Sequence, residues 1–123
     1  MLLTLNAMRD EPLTVTLAKG RGEGVTILLL KGPLTLQNTF DFQQDLAQHK
    51  PAVLIIDLTE SPYMDSAGLG LLMNGYVSAE KNGRKLLLAG ANERINALLQ
   101  TTKVHLILKN YPTAAEAEAN ARA

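Results

Sequence analysis

The chain of 123 residues is long enough for one domain with its own hydrophobic core, and it carries twelve acidic and twelve basic side chains. A net charge of zero without a basic stripe argues against nucleic-acid binding. The lack of cysteine excludes disulfides and thiol chemistry, and no run reaches the ~18 apolar residues of a membrane span. Because the N-terminus lacks the basic start of a signal peptide, we expect a cytoplasmic protein.

The first part of the chain predicts an antiparallel pair of strands. Apolar and polar residues alternate over 13–17 and again over 25–31, which is the period of a half-buried strand. The glycine-rich stretch 20–24 between them is typical of a hairpin turn. Gly32 and the proline after it end the second strand.

Helices and strands alternate in the rest of the chain. Apolar residues at helical spacing predict amphipathic helices, and short apolar runs predict buried strands. The side chains of Asn38, Asn92 and Thr113 are in positions to cap helices. The predicted elements are a helix over 39–48, a strand over 53–58, a helix from about 66 to 82, a strand over 86–89, a helix around 93–99, a strand over 104–108 and a helix after Pro112.

This order predicts an α/β fold in a single domain over residues 13–118. We expect a mixed, mostly parallel β-sheet with an antiparallel N-terminal edge and about four α-helices. Residues 1–12 and 119–123 are predicted to be flexible ends.

The segment Met-Asp-Ser-Ala-Gly-Leu-Gly, from Met64 to Gly70, follows the most apolar of these strands and opens a helix. Ser66 is therefore predicted at a helix N-terminus, where backbone N–H groups lack partners and the helix dipole favours negative charge. A phosphate on Ser66 would be accommodated there, so this serine is a candidate switch. The alternative is that Asp65 or Ser66 only caps the helix, and the two roles are compatible.

Other chemistry finds little support in the sequence. Ser66 lacks the Gly-x-Ser-x-Gly context of a hydrolase nucleophile. Gly68 and Gly70 lack the following lysine of a phosphate-binding loop and favour close helix–strand packing instead. His49 is expected to be solvated at a helix end, and His105 to be an edge or core residue of a strand. We therefore expect no catalytic residue, no metal site and no cofactor.

The polar turn 35–39 follows the C-terminal end of one predicted strand, as Ser66 follows another. Because such ends meet at one edge of a parallel sheet, we expect the turn to lie beside Ser66. The turn is then either part of a partner-binding face or simply a helix cap. Met64, Leu69 and Met73 are expected to belong to the core, with an exposed apolar patch as the alternative.

The stretch from Asp57 to Gly70 resembles the signature of STAS domains, specifically those of bacterial anti-sigma factor antagonists. The turn 32–35 and the helix-to-strand passage 81–90 fit the same family, so the similarity spans about residues 13–118. The resemblance implies a protein without catalytic activity that binds an anti-sigma factor, itself a serine kinase. It also implies that this kinase phosphorylates Ser66 and that a serine phosphatase removes the phosphate.

Carried over to this sequence, the resemblance predicts a partner-binding surface made of Thr35, Gln37, Asn38, Asp65, Ser66, Ala67, Gly68 and Leu69. Two turns depart from the family pattern. Thr35 stands where members of this class have an acidic residue, Pro33 replaces a glutamate, and Thr102-Lys103 replaces a Ser-Gly turn. We expect the last change to be tolerated by the fold.

A function of a different class stays open. The chain could be a STAS scaffold or adaptor without a switch, either a subunit of a stressosome-like assembly or a partner of a lipid-transport ATPase. The two functions differ in whether Ser66 is phosphorylated. For both we expect a monomer or a weak homodimer, without nucleic-acid binding or membrane insertion.

Overall fold

A computed structural model of the chain describes residues 12–121, which form a five-stranded mixed sheet with the strand order β1-β2-β3-β4-β5. The strands are β1 (Thr14–Lys19), β2 (Val25–Lys31), β3 (Val53–Glu60), β4 (Lys85–Ala89) and β5 (Asn110–Tyr111). Strand β1 is antiparallel to β2, and the other neighbouring strands are parallel. The predicted fold class is confirmed.

Four α-helices occur within residues 12–121: α1 (Thr39–Gln48), α2 (Ser66–Lys81), α3 (Glu93–Thr101) and α4 (Ala114–Ala121). Helices α1, α2 and α3 cover one face of the sheet, and α4 covers the other. Strand β3 buries side chains on both of its faces. Ile56, for example, packs on the side of α2 and Ile55 on the side of α4. This two-sided burial explains why its sequence is apolar without alternation. No helix in this part of the chain is long and apolar enough to cross a membrane.

Helix α4 is held to the sheet by polar contacts as well as by its alanines. The buried carboxylate of Glu118 accepts hydrogen bonds from the backbone N–H groups of Arg21, at 3.1 Å, and Gly22, at 2.7 Å. The Lys85 ammonium donates to the carbonyl of Ala121 at 2.7 Å. These contacts supply the docking that such a short helix needs. Residues 1–11 and 122–123 of the predicted flexible ends lie outside the described residues, whereas 119–121 belong to α4.

The predicted strand over 104–108 is wrong, because Val104–Leu106 forms a 3-10 helix and β5 begins after it. The N–H of Leu108 donates to the carbonyl of Val104 at 2.8 Å. Because Val104 and Leu108 are four residues apart on a helical turn, both side chains point inward. A short apolar run in the sequence does not distinguish this arrangement from a strand. His105 is consequently exposed on this turn rather than placed on a strand.

The predicted cap of α1 is also wrong, although the bounds of this helix are as predicted. Asn38 has a helical backbone (φ −104°, ψ −10°), and its side chain makes no capping hydrogen bond. Its Nδ2 donates instead to the carbonyl of Pro33 at 2.8 Å, which closes the turn after β2. The other predicted caps form: Asn92 accepts from the N–H of Ile95 at 2.9 Å, and Thr113 from that of Glu116 at 3.1 Å.

Candidate functional site

The segments that follow β2 and β3 lie side by side at one edge of the sheet. Leu34 and Met64 form a parallel bridge beyond the regular strands. The N–H of Leu34 donates to the carbonyl of Tyr63 at 3.1 Å, and its carbonyl accepts from the N–H of Asp65 at 3.2 Å. This extended pairing carries the turn 35–39 to the start of α2, as the order of the elements predicts.

Asp65 joins the two segments through its side chain. One carboxylate oxygen, Oδ1, accepts from the backbone N–H of Gly68 at 3.0 Å and caps α2. The other, Oδ2, accepts from the backbone N–H of Leu36 at 3.1 Å. A single carboxylate therefore satisfies an unpaired donor of the helix and one of the neighbouring turn.

Gly68 allows the close approach of these segments. A Cβ atom at this position would lie 2.3 Å from the carbonyl oxygen of Leu34, closer than any side chain tolerates. The predicted close packing is thus confirmed for Gly68. It is wrong for Gly70, because a Cβ there would meet nothing within 4 Å.

Ser66 is the first residue of α2, and its side chain is exposed. Its hydroxyl makes no hydrogen bond to any residue in 12–121. The backbone N–H groups of Ser66 and Ala67 lie in the first helical turn, where donors have no intrahelical acceptor. An anion on the Ser66 oxygen would therefore find nearby donors and the positive end of the helix dipole.

The turn 35–39 is ordered by its own polar side chains. The Thr35 hydroxyl donates to Oε1 of Gln37 at 3.0 Å, and the Thr39 hydroxyl donates to the carbonyl of Leu36 at 3.1 Å. Thr35, where the resemblance predicts an acidic residue, has a neutral side chain whose hydroxyl donates within the turn. The region beside Ser66 carries the Asp65 carboxylate without a second acidic side chain from this turn.

Two exposed apolar side chains at the turn 35–39 and the start of α1 were not among the predicted site residues. Leu36 is 69% exposed and Phe40 is 67% exposed. Both lie where α1 begins, and Leu36 is tied to Asp65 by the hydrogen bond described above. The sequence contains a signal for Phe40, since Phe42 and Leu46 define the inward face of α1 and Phe40 falls outside their spacing.

The predicted site residues divide by burial. Gln37 and Ser66 are exposed, and Gly68 and Leu69 are buried. The other four residues are partly buried: Thr35, Asn38, Asp65 and Ala67. Gly68 and Leu69 therefore lie beneath the exposed site residues and do not form part of the surface itself. Met64 is 8% exposed and Met73 is half-buried against the same core, as predicted for core residues.

The remaining candidates do not join this site. Nδ1 of His49 lies 2.9 Å from the carbonyl oxygen of Asp45, at the C-terminal end of α1. Nδ1 of His105 lies 3.2 Å from the carbonyl oxygen of Leu99. Within residues 12–121 no group of three histidine or carboxylate side chains is arranged to hold a metal ion.

A curated protein matches about half of this chain in sequence. The anti-sigma-B factor antagonist of Listeria monocytogenes is 39% identical over 57 residues, which are 46% of this chain and 50% of that protein. The match thus spans only about half the length of this curated relative.

Solved structures share the whole fold at lower sequence identity. An anti-sigma factor antagonist from Mycobacterium paratuberculosis aligns with a TM-score of 0.80 and 20% identity, over 91% of this chain and 96% of that one. The phosphorylated form of the Bacillus cell fate determinant SpoIIAA aligns with a TM-score of 0.67 and 16% identity, over 88% and 99%. The model of the STAS domain matches residues 17–117. The chain therefore belongs to the STAS domain family.

Proposed function

We propose that this STAS domain is an anti-sigma factor antagonist switched by phosphorylation of Ser66. In the unphosphorylated state it binds an anti-sigma factor that is also a serine kinase, and so releases the sigma factor. Phosphorylation of Ser66 ends this binding, and a serine phosphatase restores it. The chain itself performs no catalysis. The names of the Listeria and Mycobacterium relatives support the class of partner.

The exposed Ser66 hydroxyl at the start of α2 carries this proposal. A kinase needs a serine oxygen that is accessible and not engaged in the fold, and Ser66 meets both conditions. The neighbouring Asp65 carboxylate receives two backbone N–H groups, which offset part of its negative charge. The serine thus lies beside a carboxylate that is occupied in capping.

Electrostatics explains how one phosphate would act as a switch. Phosphoserine adds about −1.5 to −2 charges at neutral pH. The helix dipole favours such a charge by about 0.3–1 kcal/mol, so the fold should persist. A partner that covers Ser66 would have to desolvate this charge next to Asp65, and like charges brought together across an interface cost several kcal/mol. Every 1.4 kcal/mol reduces affinity about tenfold, so a loss of at least about a hundredfold follows.

The partner would contact what we call the Ser66 surface, which consists of Thr35, Leu36, Gln37, Asn38, Phe40, Asp65, Ser66 and Ala67. Leu36 and Phe40 supply its apolar contacts. Large apolar side chains exposed next to a functional group are typical of binding surfaces, and aromatic residues often dominate the binding energy. Because the Asp65 carboxylate links Leu36 to the start of α2, the position of Leu36 relative to Ser66 is fixed.

The test is a phosphorylation assay with the purified kinase anti-sigma factor and ATP, read by intact mass. We expect one phosphate on the wild type and none on Ser66→Ala. Ser78→Ala is the matched control, because Ser78 is also an exposed serine of α2 and should not affect phosphorylation. Phosphate retained on Ser66→Ala would refute the switch. A stable complex with the kinase and no phosphate on the wild type would favour the scaffold without a switch.

A further inference from the structure

A groove of about 270 Å³ lies between α1 and the C-terminal half of α2, away from the Ser66 surface. Its apolar lining comes from both helices and from the first residues of β3 and β4: Leu46, Ala47, Leu54, Leu71, Ala79 and Leu86. Its lining shares no residue with the Ser66 surface, and Leu71, the lining residue nearest along α2, is five residues from Ser66, about 7.5 Å at the helical rise. The groove is therefore a second, separate feature of the same helix.

Gly75 creates part of this space. A Cβ atom at Gly75 would lie 3.1 Å from Cδ1 of Leu86 and 3.6 Å from Cδ1 of Leu46. The missing side chain leaves room in the middle of α2, next to these two leucines. A glycine inside a helix costs about 0.5–1 kcal/mol relative to alanine, so the open space comes at some expense of stability.

The polar lining of the groove is entirely neutral or basic. Lys50, Arg84 and His49 line it together with amide and hydroxyl side chains, and no acidic residue does. The side chains of Lys50 and Arg84 make no ion pair and no hydrogen bond to any residue in 12–121. The described part of the chain therefore has a local excess of positive charge at this groove, with no acidic side chain paired to it.

We propose that this groove binds a small amphiphilic anion, a carboxylate with a short hydrocarbon or aromatic body. The carboxylate would pair with the guanidinium of Arg84, whose fork of donors suits carboxylates, and with the ammonium of Lys50. The apolar body would cover Leu46, Leu54 and Leu86. Sites for drug-sized ligands measure ~300–1,000 Å³, so a groove of about 270 Å³ suits a ligand smaller than a typical drug.

Calorimetric titration of the full chain with octanoate tests the proposal. We expect saturable binding of one octanoate per chain. Butanoate shares the charge and lacks most of the apolar body, and octylammonium shares the body and carries the opposite charge. We expect at least tenfold weaker binding of butanoate, since each buried CH₂ contributes substantially, and no measurable binding of octylammonium.

Two pairs of variants locate the binding. Arg84→Gln should weaken octanoate at least fivefold, whereas Arg21→Gln, an arginine in the turn between β1 and β2, should leave it unchanged. Gly75→Ala should weaken octanoate at least threefold by filling the gap, whereas Gly70→Ala places a methyl group in open space on the same helix. Both alanines favour the helix, so loss of folding does not explain a loss of binding. Absent binding, equal binding of octylammonium, or equal effects within either pair would overturn the proposal.

Discussion

The carboxylate of Asp65 accepts the backbone N–H of Leu36 at 3.1 Å, across 29 positions of sequence. Its other oxygen caps α2 through Gly68 at 3.0 Å. The turn after β2 and the first turn of α2 are thus held by one side chain. The geometry of the Ser66 surface depends on this carboxylate, whether or not a partner is bound.

Replacement of Asp65 by alanine should destabilise the domain by about 1–2 kcal/mol, because the cap of α2 and the bond to Leu36 are both lost. Thr113→Ala, which removes the cap of α4 alone, is the comparison and should cost about 1 kcal/mol. Urea unfolding followed by circular dichroism measures both values. An Asp65→Ala variant as stable as the wild type would show that the carboxylate contributes nothing to the fold.

Alanine at Gly68 should destabilise the domain by about 2 kcal/mol, since the new methyl group would collide with the backbone of Leu34. Alanine at Gly70, two residues further along α2, should be neutral or stabilise by up to about 1 kcal/mol, because no atom lies within 4 Å of its Cβ position. Thermal unfolding of the two variants measures the contrast. Equal stabilities would contradict the close approach of α2 to the turn.

Substitution of the exposed Phe40 by serine should weaken binding of the kinase anti-sigma factor at least tenfold, because a buried aromatic contact is worth more than 1.4 kcal/mol. Leu36→Ser should act in the same direction. Leu106, which is 65% exposed on the 3-10 helix, is the control, and Leu106→Ser should leave affinity unchanged. Affinities from calorimetry that do not distinguish Phe40→Ser from Leu106→Ser would exclude Phe40 from the interface.

Lys103 has a left-handed backbone, with φ +63° and ψ +14°, at the end of α3. Glycine avoids the steric cost of this conformation, about 1–2 kcal/mol, and loses somewhat more entropy on folding. Lys103→Gly should therefore stabilise the domain by about 0.5–1 kcal/mol in chemical unfolding. The reverse change at Gly83, where φ is +69° and a Cβ meets nothing within 4 Å, should destabilise Gly83→Ala by about 1 kcal/mol. A Lys103→Gly variant that is less stable than the wild type would contradict the assignment of strain at Lys103.

Much of the fold was predictable because periodicity and capping residues agree along the chain. The bounds of α1, the start of a helix near Ser66 and the two-sided burial of β3 follow from apolar periodicity, helix-end signals and an unbroken apolar run. The position of turn 35–39 beside Ser66 followed from the rule that parallel strands end at one edge. The predicted roles of these residues in partner binding stay predictions.

Other features depended on contacts that sequence spacing does not encode. The bond between Asp65 and Leu36 joins distant segments, and the contact of Asn38 with Pro33 competes with a capping position that looked favourable. Apolar and polar residues alternate weakly over 104–108, and the run is too short for its pattern to distinguish a strand from a helical turn. The structure has a helical turn here, preceded by Lys103 in a left-handed conformation.

The central claim is that phosphate on Ser66 ends the binding of a kinase anti-sigma factor. The direct test compares the affinity of the kinase for the same preparation before and after phosphorylation, by calorimetry without ATP. We expect the affinity to fall at least about a hundredfold while the thermal midpoint of the isolated domain stays nearly constant. Equal affinities of the two forms would contradict the account.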